Sequence, residues 1–384
     1  GFLSCRSVKS NKITNTIIKE FRFPPGIFDI SEQVLVPPNT SIIGAQSPNT
    51  PGQPLRSPDY ASNQTLFLAT RGATDYLKNY CHASDMVHTR VGFVLSSNVS
   101  VFNLSYQGVD TIRPNDNGGL CGGGAFETKG CAENDCQRSD VNNAGSDGLA
   151  STNVIIQSVR LNDYHYAEDA AKIGAHVDGN YDCQSQQWPS ECCFCKPNGV
   201  RSSQVGVWIP QTRDADQGVF TSNVFIDDVV ARSSQADAVN LHGNVANVTV
   251  SNSYFANTGD DVYVLWGASN NPQNVTFRNC EAFNPGIMRP GWYGNCVATY
   301  GLRSILFDNI TCHAPTYGNA SIPSPGSDDR SRIDSSMFVF YTSFGGTYPP
   351  GNNITINGCV VISSTIPLMF CLVTVCMLCA NLNE

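Results

Sequence analysis

A right-handed parallel β-helix, an all-β solenoid, is the fold class this sequence predicts. Three observations predict it. Only 14% of the residues are charged, a strand motif recurs along much of the chain, and Asn, Gly or Asp turns follow each copy. Long amphipathic helices draw on Glu, Lys, Leu and Ala, which are scarce here. The best helix candidate, residues 74–80, is short.

The motif reads Asn223-Val-Phe-Ile-Asp, Asn247-Val-Thr-Val-Ser, Asn274-Val-Thr-Phe-Arg and Arg303-Ser-Ile-Leu-Phe-Asp. Aligned on Val224, Val248, Val275 and Ile305, the steps are 24, 27 and 30 residues. Further copies stand at Asn98-Val-Ser-Val, Asn153-Val-Ile-Ile and Asn353-Ile-Thr-Ile. Each alternates apolar and polar residues, as half-buried strands do. A step of this size holds two or three short strands, which is one solenoid coil. One coil cannot bury its inward face alone, so coils stack and share a continuous core. A propeller is the main competitor, but its blades usually span about 40 residues or more. Val224, Val248, Val275 and Ile305 are therefore expected to point into one core.

The 384 residues are read as a single domain, residues 1–384, interrupted by two loop insertions. Residues 110–150 carry two glycine clusters with Cys121, Cys131 and Cys136; residues 181–200 carry Cys183, Cys192, Cys193 and Cys195. The spacings lack a paired C-x2-C, so disulfide-stapled loops are expected rather than zinc. The glycines are no phosphate loop, because no Lys-Ser/Thr follows them. The tail, residues 366–384, is almost wholly apolar as far as Ala380. It is short for a membrane span and has no polar spacer before it. It reads as a buried final strand or cap, as an anchor signal, or as sequence outside the fold. Membrane association is expected only if it is an anchor signal.

The formal charge is −9 and no Lys/Arg-rich run occurs. Binding phosphates needs a basic patch, so nucleic acid and anionic membrane are excluded as main partners. An acidic surface is also poorly suited to an acidic polymer. Sixteen cysteines point to an oxidising compartment. Nine N-x-S/T sequons agree, at Asn39, Asn63, Asn98, Asn103, Asn247, Asn274, Asn309, Asn319 and Asn353. The competing reading is that Asn-Val-Thr-Val is simply good strand sequence. The expectation is a secreted, extracellular monomer, with attachment to the cell surface left open.

Two lines carry the chemistry. Asp237-Ala-Val-Asn-Leu-His-Gly243 aligns without gaps on Asp261-Val-Tyr-Val-Leu-Trp-Gly267, one coil later. Residues one coil apart stack at about 4.8 Å, so Asp237 and Asp261 should sit on adjacent rungs. Asp260 precedes Asp261 at the Thr258-Gly259 turn, and Asn295 takes the aspartate position on the following rung. Carboxylates this close repel one another, raising at least one pKa and leaving an acid beside ionised neighbours. Glycoside hydrolysis uses that division of labour: one carboxyl protonates the leaving oxygen and another activates water or attacks. Asp at a turn bonding its own backbone is the plainer reading. The in-register ladder plus the adjacent pair favours catalysis. Neither a cofactor nor a metal is expected.

No Lys or Arg occurs from Asp237 to Gly267, while His242, Tyr263 and Trp266 lie close. Aromatic faces suit sugar rings, and the missing cations argue against a polyuronate. His242, Trp266, Arg289, Trp292 and Asn295 are the candidate substrate-binding residues, with Arg289 and Trp292 in the insertion before the next rung.

Ala236-Asp-Ala-Val-Asn-Leu-His-Gly, Asn247-Val-Thr-Val-Ser-Asn-Ser-Tyr-Phe and Asn257-Thr-Gly-Asp-Asp together resemble glycoside hydrolase family 87, the α-1,3-glucanases and mycodextranases. The resemblance is dense over residues 205–270. It implies a β-helix, inverting endo-enzyme with three catalytic aspartates, Asp260 as general acid and Asp237 and Asp261 holding the water. It makes the partner a neutral α-glucan. Inversion would set acid and base about 6.5–9.5 Å apart. Polygalacturonases share the paired aspartates, but their Gly-His-Gly and Arg-x-Lys signatures do not follow here. The rival readings are a β-helix polysaccharide lyase, for which this region lacks a basic residue, and a non-catalytic glycan-binding solenoid of the cell surface.

Overall fold

The computed structural model describes residues 19–45, 64–70, 91–110, 115–116, 119–120, 123–130, 149–162, 201–212, 218–267, 270–286, 288, 294–313, 337–342 and 346–362. All regular structure among them is strand. Two parallel sheets, of thirteen and eight strands, extend through the described residues from Lys19 to Ile362. Successive turns of the chain visit one sheet and then the other, which makes a parallel β-helix.

The repeat sets the register. In the longer sheet Val99, Val154, Val224, Val248, Val275, Ile305 and Ile354 stack in one column. The expected four are 2%, 0%, 1% and 3% exposed, all in the main core. Facing them from the shorter sheet is the column Phe93, Phe126, Val207, Val239, Tyr263, Val297 and Phe338. Like residues stack on like: Phe277 lies on Phe307 at 5.6 Å and Phe93 on Phe126 at 5.4 Å. Full burial of one such side chain stabilises by about 1.5–3 kcal/mol, so the core grows in proportion to the coils.

Asparagines build the corners. Asn39, Asn98, Asn153, Asn223, Asn247 and Asn274 all take a left-handed backbone, φ between 53° and 58°. Asn tolerates this conformation better than other L-residues with a side chain, because its amide bonds locally. Each amide nitrogen from Asn98 to Asn274 donates to the oxygen of the asparagine one coil earlier, at 2.8–3.3 Å. A second such column holds Asn252, Asn279 and Asn309. Six of the sequon asparagines (Asn39, Asn98, Asn103, Asn247, Asn274, Asn309) occupy left-handed corners. There the Asn-Val-Thr pattern is corner, inward residue and outward strand former.

Cys296 and Cys312 form a disulfide, Cα–Cα 5.9 Å, both residues buried. Cys280 is a buried free thiol, and burial pushes it up to about 11. Several expectations lie outside the described residues. They are the helix at 74–80, the cysteine clusters at 121–136 and 183–195, the tail 366–384, the sequons Asn63 and Asn319, and the candidates Arg289 and Trp292.

Candidate active site

The shorter sheet carries the site. Strand Val239–His242 pairs with Tyr263–Trp266, and that strand with Val297–Tyr300. Pairing of Val239, Tyr263 and Val297 puts Asp237, Asp261 and Asn295 at one offset, two residues before each strand residue. The gapless alignment in the sequence is therefore a ladder in space. Each rung reads the next: Asp261 N–H donates to Asp237 Oδ1 at 3.2 Å, and Asn295 N–H to Asp261 Oδ1 at 2.8 Å.

Asp260 is aimed by its turn. Its carbonyl accepts the Thr258 hydroxyl at 2.6 Å and Gly286 N–H at 3.1 Å. Gly259 lets the turn press on the coil before: a Cβ there would fall 1.9 Å from the Gln235 carbonyl oxygen. One oxygen from each of Asp237, Asp260 and Asp261 lies within 4.8 Å of the others. That is shorter than the acid-to-base spacing of about 6.5–9.5 Å expected for inversion. The cause is the coil itself, since two of the aspartates are consecutive and the third is one strand spacing away.

The trio is buried, with Asp237, Asp260 and Asp261 3%, 8% and 1% exposed. Burial first, then the charges of Asp260 and Asp237, push the Asp261 carboxyl well above the usual carboxylate range. Asn295 opposes this with its backbone N–H and with its side-chain amide, 2.7 Å from Oδ1. Tyr300 donates to Oδ2 of the same carboxyl at 3.1 Å. Asp237 accepts the Asn240 amide on Oδ2 at 2.8 Å. Three carboxylates this close could also hold a divalent cation. One donor reaches each oxygen of Asp237 and Oδ2 of Asp261, and two reach Asp261 Oδ1.

Beside the trio, on the sheet face opposite the core, His242, Trp266 and Tyr300 form one column. Trp266 lies over Tyr300 at 4.4 Å between ring centroids and 6.3 Å from His242. Trp266 is partly buried outside the main core, packed on Val264, Ala298 and Tyr300. Burial lowers His242 to about 4, so its ring is uncharged at neutral pH. Asn295, expected to touch substrate, is turned onto Asp261 instead. Asn240 and Tyr300 went unassigned in the sequence, though Tyr300 falls on the His242 and Trp266 position of the same alignment.

No protein-family model and no curated protein matches the chain. Solved structures are similar to it. One is the catalytic domain of a glycoside hydrolase family 87 α-1,3-glucanase in complex with tetrasaccharides, 13% identical with a TM-score of 0.44. Another such domain, in complex with nigerose, is 14% identical with a TM-score of 0.43. A third, the catalytic unit of a thermostable family 87 α-1,3-glucanase from Streptomyces thermodiastaticus, is 14% identical with a TM-score of 0.38. Each alignment covers 89% of this chain and 40–41% of the other. The chain thus spans about two fifths of those chains' length. At these scores the likeness carries no argument about the site, which rests on its own atoms.

Proposed function

We propose that the chain is a glycoside hydrolase cutting a neutral polysaccharide. Within that class we propose a secreted, α-1,3-glucanase-like enzyme that cleaves inside the polymer and inverts the anomeric carbon. The observation that carries the reading is the buried trio, three carboxyls within 4.8 Å with one held well above its usual range. Such a set holds one carboxyl more firmly protonated than its neighbours, so acid and carboxylate can stand side by side.

Asp260 is the most exposed of the three and stands at the turn, where a glycosidic oxygen can reach it. It gives its proton to that oxygen as the bond to the anomeric carbon breaks. Water held by Asp237 and Asp261 attacks the same carbon, and Asp237, which accepts two hydrogen bonds, takes the water's proton. The site resets when that proton passes from Asp237 back to Asp260, with Asp261 between them. The inverting course is proposed from the motif resemblance and not from spacing, since oxygens within 4.8 Å stand nearer the separation of a retaining pair, about 5–5.5 Å. The preference for α-1,3-glucan comes from the motif resemblance over residues 236–261.

The test is release of reducing ends from α-1,3-glucan, nigeran, dextran and polygalacturonate, with NMR of the first-formed anomer. Asp260→Asn should lower the rate by about 10²–10⁴, the usual contribution of a placed acid or base. An ultraviolet-absorbing unsaturated product would make the chain a lyase. Binding without any cleavage would make it a non-catalytic solenoid, and a retained anomer would end the inverting mechanism.

A further inference from the structure

Asn240 and His242 face away from the core on one strand, beside Asp237, and are 5% and 6% exposed. Asn240 Oδ1 and His242 Nε2 are buried with no hydrogen-bond partner among the described residues. A buried polar atom left unpaired is costly, so native structures seldom keep one without a use. Two on the same strand face, one of them on a side chain bonded to Asp237, mark a place built for a polar ligand.

The chemistry of that ligand follows from Asp237. The Asn240 amide turns its NH2 toward Asp237 and donates to Oδ2, 2.8 Å away. The amide oxygen then points the other way, and it can only accept. Whatever meets it must be a donor. His242, uncharged at neutral pH through burial, can accept or donate at Nε2 but offers no positive charge. A hydroxyl satisfies both atoms, since it donates to one and does either with the other. A ligand carboxylate satisfies neither well: it cannot donate to Asn240, finds no cation at His242, and is repelled by the trio. No Lys or Arg occurs from Asp237 to Gly267 to compensate.

We propose that Asn240 and His242 are specificity-determining residues that read the hydroxyls of an uncharged sugar and reject a uronate. The proposal rests on the glycosidase reading and names the sugar class that site takes.

Binding, not turnover, tests it, because Asn240 also touches Asp237. In an Asp260→Asn background that slows hydrolysis, calorimetric titration compares two probes: a neutral α-1,3-linked glucose tetrasaccharide and a galacturonate tetrasaccharide. The glucose probe should bind about ten-fold more tightly, and Asn240→Leu or His242→Phe should each weaken it about ten-fold. Should either variant fail to fold, glucose probes with one ring hydroxyl replaced by hydrogen make the same deletion from the ligand side. At least one should lose about ten-fold on the Asp260→Asn protein. Preferential binding of galacturonate, unchanged affinity in both variants, or indifference to every deoxy probe overturns the assignment and leaves the glycosidase reading standing. If neither probe binds and no reducing ends are released by the unaltered chain, both fall together.

Discussion

Tyr300 places its hydroxyl 3.1 Å from Asp261 Oδ2, on the side of the carboxyl that Asn295 leaves uncovered. Asn295 spends both its N–H groups on Oδ1, and neither can turn round to accept. A proton on Asp261 therefore belongs on Oδ2, where the phenol can donate to the carboxylate or accept from the acid. Tyr300 thus lets a buried carboxyl change protonation state without leaving an unpaired group in either.

The first prediction concerns this pair. Tyr300→Phe removes a donor to the carboxylate, so Asp261 should hold its proton more firmly. The alkaline limb of the pH–rate profile, where the trio loses its shared proton, should move to higher pH. A rate loss with an unmoved limb would reduce Tyr300 to packing against Trp266.

The second follows from the sign of the Asp261 shift. Its folded carboxyl lies above the unfolded one, so the folded state binds more protons. Its contribution to stability is present below the unfolded pKa, about 3.9, and is lost as pH rises through the folded value. Asp261→Asn should therefore stabilise the protein at pH 7, by about 0.5–2 kcal/mol as such active-site exchanges do, while abolishing activity. The gain should shrink toward pH 4. A lower melting temperature at pH 7 would count against the buried-charge account.

The third concerns the staple behind the site. Cys296 follows Asn295 directly, and its bond to Cys312 closes a separation of 16 residues. Loss of a link of this kind typically costs about 2–4 kcal/mol. Cys296→Ala with Cys312→Ala should unfold correspondingly earlier in denaturant. Activity should also fall, because the Asn295 contacts to Asp261 depend on that rung. Unchanged activity in the folded double variant would separate the staple from the site.

The fourth concerns the corner asparagines. Asn223→Ala must hold a left-handed backbone with a Cβ and no amide, at about 1–2 kcal/mol. It also breaks two rungs of the ladder. Asn223→Gly keeps the backbone freedom and should cost less. Equal melting temperatures for the two variants would mean that the left-handed backbone costs nothing beyond the lost ladder bonds.

What was legible in the sequence was what repeats locally. The steps between Val224, Val248, Val275 and Ile305 foretold the core column, because an inward side chain must recur once per coil. The Asp237 and Asp261 alignment foretold the ladder for the same reason. The asparagine preceding each inward valine was also visible. Its meaning was not, since Asn-Val-Thr serves equally as a sequon and as a left-handed corner before a strand. The backbone angle distinguishes the second use.

Tertiary structure alone decided which groups meet across coils and across the core. Asn240 meets Asp237 within one coil, three residues on, but Tyr300 reaches Asp261 from the end of the next rung's strand, 39 residues away in sequence. Cys296, just before the strand Val297–Tyr300, and Cys312, within the strand Ser304–His313, are brought to a Cα–Cα distance of 5.9 Å only by the folding of the coil. The closeness of the trio and the raised carboxyl of Asp261 come from burial, which is a property of the stacked coils together. A repeat can announce its own period, but the dielectric around one carboxyl and the donors that reach it are set only once neighbouring coils have closed over it.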